Sequence, residues 1–131
     1  GIRDLRMSRG LGDVYKRQLK DCAVLCKDLN LDFIEINMNL PQYQLQYIDV
    51  SHFNDVANKY GIFYTIHLDE NLNISDFNFY IADGYRRTVV ETIALAKELD
   101  VSIISMHLSR GVYFTLPDKK CIFLPSIVSS I

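Results

Sequence analysis

The sequence predicts an α/β fold, because three short runs rich in β-branched and aromatic residues alternate with helical stretches. The runs LDFIEIN (31–37), IFYTIHL (62–68) and VSIISMH (101–107) have few polar interruptions, as expected of parallel strands covered on both faces. Strands separated by helices form βαβ units, whose strands pair in parallel through crossover helices. With 131 residues and no linker-like or low-complexity tract, one domain is expected.

The opening block, GIRDLRMSRGLGDVYKRQ, differs from the rest. Arg3, Arg6, Arg9, Lys16 and Arg17 face only Asp4 and Asp13, so residues 1–18 carry about +3 and the remainder −5. A basic arm for nucleic acid or a membrane surface is one reading. The block lacks an apolar period, contains Gly10 and Gly12, and resembles a translated sequencing-adapter peptide. Residues 1–18 are therefore set aside as a non-native segment, and the domain is read over 19–131.

From Leu19 the elements follow in order. LKDCAVLCKDLN (19–30) spaces Leu19, Ala23, Cys26 and Leu29 about one turn apart, a helical stripe. The first strand and a loop with Pro41 follow. Ser51 then caps the helix SHFNDVANKY, which Gly61 closes from the position after its last turn. After the second strand, Ser75 is the expected N-cap of a long helix running to about Leu99. Its buried stripe is expected at Ile81, Tyr85, Val89, Ile93, Ala96 and Leu99. The third strand leads into LSRGVYFTLPDKK and a short apolar end, CIFLP.

Side chains alternate faces along a strand. Ile34 and Ile36, Tyr64 and Ile66, and Ile104 and Met106 then share an apolar face. The opposite face begins with Phe33, Phe63 and Ile103 and turns polar through Glu35, Thr65 and Ser105, ending at His67 and His107. Ligand sites of parallel α/β folds lie at the carboxyl ends of the strands. His67 and His107 are therefore the candidate metal ligands, with Glu35 nearby; imidazole and carboxylate suit zinc, manganese or iron. An isolated His at a strand end is more often structural, but two at matching ends point to a shared task. Cys22 and Cys26 have no second pair to complete a zinc site and read as small core residues. Tyr43, Tyr47 and Phe53 read as loop packing rather than a stacking platform. No Gly-rich phosphate loop or serine nucleophile elbow is present.

HLDENLNIS and MHLSRG, with His67 before Asn71-Leu72-Asn73 and His107 before Gly111, resemble the xylose isomerase-like barrel superfamily. That group includes sugar phosphate isomerases/epimerases and endonuclease IV. LDFIEIN resembles the strand that presents a Glu in epimerase-like members, here Glu35. The resemblance covers about residues 19–124. It implies a (β/α)₈ TIM barrel with its site at the C-terminal face, and three clear strands make this chain a fragment of one, since a full barrel takes about 250 residues.

The implied function is a metal-dependent sugar or sugar-phosphate isomerase/epimerase. It uses a divalent metal, zinc or manganese, held by His67 and His107. Glu35 accepts from sugar hydroxyls and Arg110 meets a phosphate. The fragment itself should be nearly inactive, because further carboxylates belong to strands it does not contain. The alternatives are an endonuclease IV-like repair phosphodiesterase and a non-enzymatic α/β binding module. A net charge of −2, or −5 beyond residue 18, argues against gripping DNA. The open apolar strand face argues against a self-sufficient small module and for self-association of the fragment. No apolar run reaches the roughly 18–20 residues of a membrane span, and no signal peptide is evident. Three cysteines without a paired framework suggest a reduced, cytoplasmic setting.

Overall fold

The computed structural model describes residues 19–108 and 112–123. The basic block 1–18 and Arg110 lie outside them. The chain runs α1 (Leu19–Asp28), β1 (Phe33–Asn37), α2 (Val50–Tyr60), β2 (Phe63–His67), α3 (Phe79–Glu98) and β3 (Ile104–Ser105). Two single 3₁₀ turns, Pro41–Tyr43 and Leu45–Tyr47, bridge β1 and α2. β1, β2 and β3 form one parallel sheet in sequential order, so the α/β class holds.

The three helices end alike. Asn30 and Asp100 adopt left-handed φ of 54° and 53°, and Gly61 has φ 60°. In each case the next N–H reaches back to the final turn: Leu31 to Cys26 O at 2.8 Å, Ile62 to Ala57 O at 3.1 Å, Val101 to Ala96 O at 2.8 Å. This 6→1 closure consumes an otherwise orphaned helix carbonyl. Asn, Asp and Gly are the residues that tolerate left-handed backbone best. Each cap turns the chain straight into a strand, so one local device is used three times to build the sheet.

The helix starts differ from expectation. α2 is capped by Asp49, whose Oδ1 accepts the His52 N–H at 3.1 Å, not by Ser51. Two cap-forming residues compete there, and the carboxylate two residues earlier admits Val50 and Ser51 to the helix. α3 is capped by Asn78, not Ser75. Asn73, Asp76 and Asn78 each accept the N–H two residues on. Successive Asx turns of this kind compete with helix and delay its start to Phe79. Ser75 is buried instead.

The sheet's packed face carries Ile34, Ile36, Tyr64 and Ile66, each at most 1% exposed. They share one core with Leu19, Cys22, Ala23 and Cys26 of α1, Phe53 and Val56 of α2, and Leu95 and Ala96 of α3. The helices thus cover one face of the sheet. In α3 the expected stripe holds at Tyr85, Val89, Ala96 and Leu99, which are buried or packed against the core, and fails at Ile81 and Ile93. Ala82, Thr92, Leu95, Ala96 and Leu99 are buried while Ile81 and Ile93 are exposed. The helix turns small residues toward the sheet, and the Thr92 hydroxyl donates to Thr88 O at 2.8 Å rather than to solvent. Leu29, also expected inside, is exposed because α1 ends one residue before it.

The other face is uncovered at one end. Phe33 and Phe63 stack with centroids 5.5 Å apart, yet Phe63 is 49% and Ile103 57% exposed. β3 is shorter than 101–107, and Met106, expected on the packed face, lies beyond its end and is exposed. The stretch after β3, to which the sequence reading assigned no element, contains an antiparallel hairpin, β4 (Val112–Leu116) and β5 (Lys119–Phe123), joined at Pro117-Asp118. Alternation in VYFTL is a strand signal, but Pro-Asp lacks the Gly that usually marks a two-residue hairpin turn.

Tyr64 lies in the core, where its hydroxyl donates to Phe53 O at 2.8 Å. Burial pushes its phenol, and that of Tyr43, well above the usual range. The folded state therefore holds both protons more tightly than the unfolded chain, which releases them near pH 10. Their contribution is complete below that pH and is lost above it. Tyr64→Phe should cost about 1 kcal/mol at neutral pH by removing one buried hydrogen bond. It should also flatten the alkaline loss of stability, as urea midpoints across the alkaline range will show.

Candidate metal centre

His67 is the last residue of β2, and parallel register sets it beside Asn37 of β1 and Ser105 of β3. Two residues beyond Ser105, the chain presents His107. The two imidazoles meet edge to face with centroids 5.1 Å apart. Strand parity pointed to the side on which they meet, although His107 lies beyond the end of β3.

A third group completes the cluster. Glu70, three residues after His67, places Oε1 3.7 Å from His107 Nε2. One donor atom from each of His67, Glu70 and His107 lies within 4.8 Å of the others. The side chains of His107 and Glu70 are 57% and 60% exposed, so an ion pair between them adds little stability. His67 is half-buried, and its Nδ1 is a buried ring nitrogen without a hydrogen-bond partner. Buried polar atoms in folded proteins nearly always have partners, and this ring nitrogen has none.

The donor set fits a divalent transition metal. Two imidazole nitrogens and a carboxylate are borderline donors suited to zinc, manganese or iron. Three protein ligands leave a coordination position open. Metal–donor bonds run about 2.0–2.2 Å, so the three donor atoms must draw closer together to share one ion.

The loop carrying Glu70 is held by side chains. Asp69 Oδ1 accepts the Asn71 N–H at 2.8 Å, and Asn39 Oδ1 accepts the Glu70 N–H at 2.9 Å. Asn39 itself donates from Nδ2 to Asn37 Oδ1 at 2.9 Å. Glu35 lies outside the metal group. It is half-buried within β1, in register with Thr65, two residue pairs further into the sheet than His67. The Thr65 hydroxyl is buried with no partner. Tyr43 and Phe53 pack edge to face at 6.3 Å inside the core, while Tyr47 is exposed.

Sequence reading missed Glu70 as a ligand. The available signal was the spacing His67-x-x-Glu70 at a strand exit. Comparison with protein families, curated proteins and solved structures finds no match to this chain. Among the described residues, no helix is long and apolar enough to cross a membrane.

Proposed function

We propose that this chain carries the metal-binding face of a metal-dependent sugar or sugar-phosphate isomerase/epimerase, and that its sheet is part of a (β/α)₈ barrel wall. The observation that carries this reading is the convergence of His67, Glu70 and His107 at the carboxyl end of adjacent parallel strands. Ligand sites of parallel α/β folds lie at that end. Sequential strand order with all three helices on one face supports a barrel wall over a doubly wound sheet. In a barrel, Phe33, Phe63 and Ile103 would face inward and be covered by further strands.

A divalent metal, zinc or manganese, would polarise neighbouring carbonyl and hydroxyl oxygens of the substrate when bound. His67, Glu70 and His107 hold and orient it. Glu35, two register pairs inward, accepts hydrogen bonds from sugar hydroxyls, and the buried Thr65 hydroxyl beside it is a second polar group on that face. Arg110, three residues past His107, contributes positive charge toward a phosphate. An acidic rim of Asp69 and Glu70 tolerates a small metal-bound substrate better than a DNA backbone. The cytoplasmic setting and the self-association of a sheet with uncovered apolar residues belong to the same proposal.

The test uses the longest expressed polypeptide containing residues 19–131, loaded with zinc or manganese. It is offered ketoses, ketose phosphates and an abasic-site DNA duplex. Metal-dependent interconversion of a sugar, lost in His67→Ala and His107→Ala, is the expected result. Duplex cleavage without sugar turnover would favour a repair phosphodiesterase, and sugar turnover that survives both substitutions would end the metal mechanism.

A further inference from the structure

Nothing covalent holds Glu70 in front of the two imidazoles. It sits in an exposed loop three residues past β2, and an unrestrained glutamate there would sample many rotamers and loop positions. The restraint comes from another loop. Asn39, two residues beyond the end of β1, accepts the Glu70 backbone N–H at 2.9 Å across 31 residues of sequence. Its own amide is held in turn, donating to Asn37 Oδ1 at 2.9 Å, and the Asn39 N–H donates to the same oxygen at 3.0 Å. Asn37 is the register partner of His67. The loop exits are also joined by the Met38 N–H donating to His67 O at 2.9 Å. A continuous path of hydrogen bonds thus runs from the β-ladder at His67, through Asn37 and Asn39, to the backbone of Glu70.

We propose that Asn39 is a positioning residue for the metal group, fixing the Glu70 loop so that its carboxylate faces His67 and His107. The inference rests on the metal reading above. Outer partners that orient metal ligands are commonly worth about 10–100-fold in metal affinity. Asn suits the task because its amide offers an acceptor to Glu70 and a donor to Asn37 at once. Alanine offers neither, and serine is too short to span both.

The experiment is a double-mutant cycle in the full chain, read by titration with Co²⁺ alone and followed through the cobalt absorption spectrum. Asn39→Ala should weaken Co²⁺ binding at least about 10-fold and change the spectrum in the otherwise native chain. In the Glu70→Gln background the same substitution should change affinity less than about twofold, because Asn39 acts only through Glu70. Asn39→Ser, which keeps a polar group in the turn, replaces Asn39→Ala if the latter fails to fold. An equal loss in both backgrounds, or no loss in either, overturns the positioning role while leaving the metal site standing. Absence of Co²⁺ binding in the native chain, or undiminished binding in His67→Ala, overturns the site and the positioning role together.

Discussion

Ile66→Ala should lower the unfolding free energy by about 2–5 kcal/mol, the range for emptying a fully buried aliphatic site. Ile66 is 0% exposed and sits on the central strand, with Ile36 and Ile104 as its register partners on either side. A methyl in its place leaves a void under the helices that neither neighbouring strand can fill without breaking the ladder. Small domains have only about 5–15 kcal/mol in total, so this one change removes a large part of the margin. Ile103→Ala is the matched control. The same atoms are deleted, but Ile103 is 57% exposed on the uncovered face, and the cost should stay within about 1 kcal/mol. Urea unfolding with unchanged slope checks both, and equal losses would mean that the two faces of the sheet are not as unequal as described.

His67→Ala should weaken divalent metal binding by 100-fold or more, and His107→Ala by a similar factor. Each deletion leaves one imidazole and one carboxylate, a pair of donors in place of three, and the affinity of such sites depends on ligand number and geometry. Lowering the pH should act in the same direction, because metal binding requires neutral imidazoles and an ionised carboxylate. Stability should separate the two histidines. His67 is half-buried with an unpartnered Nδ1 while His107 is more than half exposed, so metal-free His67→Ala is expected to fold at least as well as the native chain. Competition titration with zinc, and melting with and without the metal, check these expectations.

The fold was legible where one residue decides the geometry. Apolar runs marked all three parallel strands, and Gly61 closed α2 because a residue without Cβ adopts left-handed φ at no steric cost. Strand parity pointed to the side on which His67 and His107 meet, although His107 lies two residues beyond the end of β3. Legibility failed where several residues of equal propensity compete. Asp49 and Ser51 both cap helices, and only the positions of their neighbours choose between them. α3 offers large apolar side chains on more than half of its circumference, so the stripe was legible at Tyr85, Val89, Ala96 and Leu99 but misplaced at Ile81 and Ile93. Glu70 was missed for a different reason. Its backbone N–H donates to Asn39 in another loop, a tie between segments 31 residues apart that the His67-x-x-Glu70 spacing alone does not record.

The central claim is that His67, Glu70 and His107 form one metal site, and zinc-edge anomalous diffraction from crystals grown with Zn²⁺ tests it most directly. The account predicts a single strong peak at the carboxyl end of the parallel sheet, about 2.0–2.2 Å from a donor atom of each of the three residues. Ordered His67, Glu70 and His107 side chains with no peak between them, and zinc found elsewhere or nowhere, would contradict it.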